Sequence, residues 1–217
     1  FKNSSNFLYY YLSAPVCFTL GFLADEFKNN FLTLGGKVPF FIDLSSEDSV
    51  NDLEKLLTMD IEMLYNTTNS HITTKVLKML KRKKIEIKML ASDGLLSNAL
   101  YDSQESLPLY NGVYVVEHYK SNLLDTMKQQ EFQKYFKNKQ YKHSSYAYLS
   151  YDGYQVLYNA LQKCPRYSSE CINKNITNSG TIEGIAGNFT IQNHKSKRNI
   201  YIDKIENASL KKEVVIY

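Results

Sequence analysis

Three cysteines, four histidines and a few carboxylates beside glycine are the residues of this 217-residue chain whose chemistry most narrows its function. Cys164 and Cys171 stand seven residues apart in CPRYSSEC, around Pro165 and two serines. A turn-rich loop of that length can close a disulfide, which would mark an oxidising compartment. Two reduced thiols are the alternative. Cys17 lies in the apolar APVCF and reads as a small buried hydrophobe rather than a nucleophile. His71, His118, His143 and His194 are scattered, without HxxxH or Cys/His spacing, so no structural or catalytic metal is expected. Gly35-Gly36-Lys37 follows a helical pattern instead of opening one, and neither GxGxxG nor GxSxG occurs. With no nucleophile–base pair and no cofactor loop in evidence, the chain does not read as an enzyme, and no cofactor is expected.

One carboxylate stands apart. Asp93, in ASDGLLSN (residues 91–98), follows an apolar run and precedes a glycine, a setting that suits an ammonium or guanidinium. NTTNSH (66–71) offers Asn69 and Ser70, and the segment at Cys17 offers Phe18 and Thr19. For Asp93, Asn69 and Ser70 helix capping is the competing reading, since these residue types begin helices. The residues alone leave both open.

The elements that must position these groups follow from periodicity. Phe7–Leu12, Val38–Ile42, Ile61–Tyr65, Ile85–Leu90 and Val113–Val116 read as strands. Gly21–Leu34 has helical spacing, with Leu23, Phe27, Phe31 and Leu34 on one face and Gly35–Gly36 to close it. Ser46–Leu57 and Ser70–Lys83 are further helices, the latter with Ile72, Val76, Leu77 and Leu80 inward. The cations Lys81–Lys84 sit where they oppose the helix dipole rather than mark a phosphate site. Strand and helix thus alternate to about residue 117, which predicts an α/β, doubly wound parallel sheet with flanking helices. Ligands in such sheets sit beyond the carboxyl ends of the strands, where the three polar segments fall. Beyond His118, Leu124–Asn138 and Tyr146–Lys163 read as helices, and Asn173–Ser179 as a polar irregular stretch. Ile185–Gln192 and Asn199–Glu206 read as an antiparallel hairpin around NHKSK.

Composition removes several classes. At 43% hydrophobic and 22% charged the chain can bury a core. Its net charge of +4 comes from dispersed lysines, so no nucleic-acid surface is expected. No apolar run approaches the ~18 residues of a membrane span. Phe1 is not an initiator methionine and no basic–apolar leader opens the chain, so the chain is expected to begin partway through a longer protein.

Four stretches, TLGFLADEFKNNFLTLGGKV, IEMLYNTTNSHITTKVLKMLKRKKIEIKMLASDGLLSNAL, YLSYDGYQVLYNALQKC and IEGIAGNFTIQNHKSKRNIYIDKIENASL, resemble in sequence and order the type 1 periplasmic solute-binding proteins of ABC transporters, especially the branched-chain amino-acid branch. The resemblance implies two lobes that close on a ligand about a hinge. Residues 1–117 and 180–217 would be lobe two, and 118–179 helices belonging to lobe one, whose first part is missing. It places the family's acid for the ligand ammonium on Asp93. The family's aromatic contacts fall on Asn69, on Thr19 (or Phe18, shifted by one) and on Tyr146, with Ser70 beside Asn69. Retention of the acid implies an amino-acid-like ligand, while the loss of two aromatics removes support for a branched-chain side chain. Also implied are a periplasmic or extracytoplasmic location behind a signal peptide, non-catalytic capture, and an ABC permease as partner. The lobe-one helices would be exposed and available for self-association. The ligand-sensing domain of a membrane receptor or kinase is the alternative, and an α/β enzyme the more distant one.

Overall fold

A computed structural model describes residues 9–13, 18–38, 42–43, 62–95, 107–119, 126–138, 145–207 and 209–216. Cys17 and the expected helix at Ser46–Leu57 lie outside them. The chain divides into two compact units, Phe1–Val116 with Asp203–Lys212, and Glu117–Ile202 with Glu213–Tyr217.

The described strands are β1 (Tyr9–Ser13), β2 (Ile42–Asp43), β3 (Met63–Asn66), β4 (Lys88–Ala91), β5 (Tyr114–Glu117), β6 (Thr181–Gly184), β7 (Gly187–Gln192), β8 (Lys195–Arg198), β9 (Ile200–Glu206) and β10 (Ser209–Ile216). The described α-helices are α1 (Phe18–Thr33), α2 (Ser70–Arg82), α3 (Met127–Asn138), α4 (Ser145–Gln162) and α5 (Ser169–Thr177). None is long and apolar enough to cross a membrane.

The first unit is built on a mixed sheet in the order β10-β9-β5-β4-β3-β1-β2. Its pairs β1–β2, β1–β3, β3–β4 and β4–β5 are parallel, as the alternation of strands and helices requires. Beyond β5 the sheet is extended by β9, through bonds from Gly112 to the Ile205 carbonyl (2.8 Å) and from Ile205 to the Val113 carbonyl (2.9 Å). Successive side chains alternate across the sheet. Leu64 and Met89 join Val76 and Leu80 of α2 in the main core, whereas Tyr65 and Leu90 pack with Ala24 and Phe27 of α1. Helix α1 is closed just past its end by Gly35, whose φ of +86° lets the Gly36 amide reach back to the Phe31 carbonyl at 2.9 Å. Lys81 and Arg82 occupy the last turn of α2, the position expected from the helix dipole.

The second unit holds α3, α4, α5 and the antiparallel sheet β6-β7-β8. Its apolar centre is Tyr119 stacked on Tyr148 (4.2 Å between centroids), with Ile185, Ala186 and Phe132 around them. Gln129, 1% exposed, donates from Nε2 to the Tyr119 hydroxyl. The sheet is fastened to α4 by Asp152. Its carboxylate accepts from the amides of Ile185 (2.7 Å) and Ala186 (3.1 Å), and Arg198 lies 3.7 Å away. Burial raises the Asp152 pKa, and the two amides and Arg198 oppose that rise.

Two expectations change. The polar stretch 173–179 is largely helix: α5 begins at the N-cap Ser168, whose Oγ accepts from the Cys171 amide. The hairpin partner of β7 is Lys195–Arg198 and not Asn199–Glu206, because the turn contains only Asn193 and His194, both at positive φ (50° and 62°). The chain then leaves that sheet, and Ile200–Glu206 joins the larger one.

Candidate functional site

In the first unit the carboxyl ends of three strands lie side by side. Leu12 pairs with Asn66, and Asn66 with Ala91. The sheet order turns back here, since β2 lies outside β1 while β4 and β5 continue beyond β3. Such a switch point opens a crevice beyond the strand ends. Each of the three polar segments leaves from this edge.

The segment after β3 is held by a buried polar knot. Asn66, fully buried, donates from Nδ2 to Thr73 Oγ1 at 2.7 Å and accepts at Oδ1 from both the amide (2.9 Å) and the hydroxyl (2.7 Å) of Thr68. The Thr68 and Thr73 hydroxyls lie 3.1 Å apart, and Thr73 Oγ1 also reaches the Asn69 carbonyl at 2.8 Å. Asn69 is exposed and caps α2, its Oδ1 accepting from the Ile72 amide at 3.1 Å. Ser70 is 4% exposed, and its carbonyl takes hydrogen bonds from Thr74 and from the Tyr110 hydroxyl, each at 2.8 Å. Of the two residues considered as a cap, Asn69 is the one.

The segment after β4 is tied to the same frame by a bond from the Ser92 amide to the Asn66 carbonyl at 2.9 Å. Asp93 then opens a short 3-10 turn, Asp93–Leu95, in which Leu95 is fully buried and Asp93 is half-buried. On the α1 side of the sheet stands Tyr65, 7% exposed, its ring stacked on Phe27 with centroids 4.0 Å apart. Its pKa is pushed up to about 12, first by burial and second by the negative charge of Asp93. Phe18 and Thr19 form the start of α1, which follows β1 at this edge. Tyr146 lies in the second unit, in the first turn of α4, and is 43% exposed.

Asp93, Asn69 and Ser70 are therefore brought to one edge with the start of α1. Two participants escaped the reading of the sequence. Tyr65 is the last residue of an apolar strand pattern, and its nearness to Asp93 is tertiary. The Asn66–Thr68 relation is an Asx turn, visible in principle as Asn two residues before a donor in NTT. In the second unit the structure joins Cys164 to Cys171, with Cα atoms 5.8 Å apart. The link ties the end of α4 to α5, and Asn175 Nδ2 lies 3.2 Å from Cys164 Sγ.

No family model matches the chain, and no curated protein matches it by sequence. Solved structures do match it in fold. A leucine-binding protein from Thermotoga maritima is 19% identical with a TM-score of 0.80, over 96% of this chain and 60% of that one. A branched-chain amino acid transporter substrate-binding protein from Streptococcus pneumoniae, in complex with isoleucine, is 16% identical with a TM-score of 0.75, over 97% and 59%. An ABC transporter solute-binding protein from R. palustris, in complex with benzoate, is 15% identical with a TM-score of 0.76, over 96% and 58%. The chain thus spans about 60% of the length of the structures it matches. Over that span it has the type 1 periplasmic binding-protein fold of these neighbours, a mixed sheet with flanking helices and a separate antiparallel sheet toward its C-terminus.

Proposed function

We propose that the chain is part of an extracytoplasmic solute-binding protein that captures an amino acid or similar small polar solute and delivers it to an ABC importer. The observation that carries this reading is Asp93, a half-buried carboxylate at the carboxyl end of β4, beside the switch point of a doubly wound sheet. A carboxylate there suits a ligand ammonium. Asn69 and Ser70, with Thr19 or Phe18 at the start of α1, are the remaining contacts of this edge. The role is capture without catalysis: a ligand that touches both lobes of the complete protein favours the closed state by its differential affinity for it. The Cys164–Cys171 disulfide supports export to an oxidising compartment. Neighbours in complex with isoleucine and with benzoate frame the choice of ligand, because only the former carries an ammonium.

Titration of the chain with the standard L-amino acids and with benzoate tests this, followed by amide chemical shifts so that weak binding registers. An amino acid should move the amides around Asp93, and Asp93→Ala should weaken that binding well over tenfold, the effect of removing one partner of a desolvated charge pair (roughly 2–5 kcal/mol). Benzoate binding unchanged by Asp93→Ala, with no response to any amino acid, would replace the amino-acid reading by an aromatic-acid one.

A further inference from the structure

We propose that Ser92 is a second ligand-binding residue of this edge, its hydroxyl sharing the ligand ammonium with the Asp93 carboxylate. The inference rests on the reading just given and deepens it, from an acid that attracts any cation to a two-point site for an ammonium that still carries hydrogens.

Ser92 is 4% exposed, and its Oγ has no hydrogen-bond partner among the described residues. Its backbone, by contrast, is fully engaged: the amide donates to the Asn66 carbonyl at 2.9 Å and the carbonyl accepts from the Leu95 amide at 3.1 Å. The hydroxyl is therefore held in place by bonds it does not itself make. Asn66, Thr68 and Thr73 bond to one another, and Thr74 bonds to Tyr110. A buried hydroxyl left without a partner is unfavourable, and such groups in folded proteins are explained by a water, an ion or a ligand that completes them.

Among the described residues, a Cβ built on Gly94 would meet Ser92 Oγ, at 3.5 Å, apart from its adjoining residues. The absent side chain of Gly94 thus adds no Cβ beside the hydroxyl, in the same turn that presents Asp93. The chemistry of the two groups is complementary. A primary ammonium has three N–H donors; a carboxylate takes one or two, and a hydroxyl oxygen takes another. A trimethylated ammonium has the same charge and no donor, so it would engage Asp93 alone.

The test compares the wild-type chain with Ser92→Ala, Ser92→Cys and Asp93→Ala, titrated with the standard L-amino acids and with the N-trimethylated form of whichever binds most tightly. Ser92→Ala should weaken the amino acid roughly tenfold and leave the trimethylated form unchanged, because a single hydrogen bond to a charged group is lost. Ser92→Cys, close to serine in volume, should show the same selective loss. Unfolding of the unliganded chain should need as much denaturant in Ser92→Ala as in wild type, or more, since Oγ makes no bond in the folded state. Amino-acid affinity unchanged in Ser92→Ala but lost in Asp93→Ala would overturn the role of Ser92 and leave that of Asp93 standing. Equal loss for the amino acid and the trimethylated form, or a clear fall in stability in both Ser92 variants, would make Ser92 a structural residue and overturn the proposal. No response of the wild type to any amino acid would overturn both readings.

Discussion

Asp152 Oδ1 accepts a hydrogen bond from the Ile185 amide at 2.7 Å, across 33 residues of sequence. The same carboxylate holds the Ala186 amide and faces Arg198, which in turn lies over the Phe189 ring at 4.4 Å. One side chain of α4 thus fixes the tight connection between β6 and β7. Asp152→Ala would leave two buried amides without their acceptor and a largely buried guanidinium without its counter-charge. It should destabilise the second unit by roughly 2–4 kcal/mol, read as a fall in the denaturant midpoint. Gly184→Ala should act in the same direction, because its Cβ would run into the Asp152 carboxylate. Stability unchanged in both variants would remove this clasp from the account of the fold.

The negative charge of Asp93 should be felt in the titration of Tyr65. With burial as the larger cause and Asp93 the second, the Tyr65 phenol titrates at about 12. Asp93→Asn should lower that value, seen in the ring-carbon shifts of labelled tyrosine, and burial should keep it above 10.0. The raised pKa means that the folded state favours the neutral phenol. Its contribution to stability is complete below the unfolded value of 10.0 and is lost as the pH rises through about 12.

Glu206 gives the acid-side counterpart. Hydrogen bonds from Lys211 (2.6 Å) and Lys204 (2.9 Å) hold its pKa at about 2, below the ordinary 4.5. The favoured form is now the ionised one, so its contribution is present above 4.5 and is lost as the pH falls toward 2. The difference in melting temperature between wild type and Glu206→Gln should close over that interval. The pair is at the surface, so added salt should shrink the difference at neutral pH.

Thiol titration of the denatured, unreduced chain should find one free thiol, that of Cys17, with Cys164 and Cys171 joined. Three thiols would contradict the bond. Cys171→Ser should cost about 2–3 kcal/mol for a loop this short, and the loss should fall on the junction of α4 and α5.

How far the sequence discloses this fold follows from what sets each element. Strands β3, β4 and β5 and helices α1, α2 and α4 each bury apolar side chains, so their apolar periods are written in the residues. Helix α5 (SECINKNIT) is mostly polar, with only Ile172 and Ile176 as aliphatic residues at helical spacing, and its Ser168 cap and its disulfide give it definition that composition hides. Strand β8 is KSKR, a poor strand by propensity; pairing with Ile191 and its neighbours across a two-residue turn overrides that. At the site, Asp93 and Asn69 were legible because position after a strand is a property of sequence. The orphaned hydroxyl of Ser92 and the nearness of Tyr65 to Asp93 depend on atoms far along the chain and could not be read there.

The knot of Asn66, Thr68 and Thr73 separates two tasks that loops usually mix. Its hydrogen bonds close on one another and fix the backbone path from β3 into α2. Asn69, exposed at the start of that helix, contributes through its side chain a single cap of about 1 kcal/mol. Ser, Asp or Thr at position 69 could therefore exchange with little change in the path of the chain. Under the function proposed above, the exposed positions of the edge are the ones that can vary with the solute, while the frame that presents them stays under separate constraint.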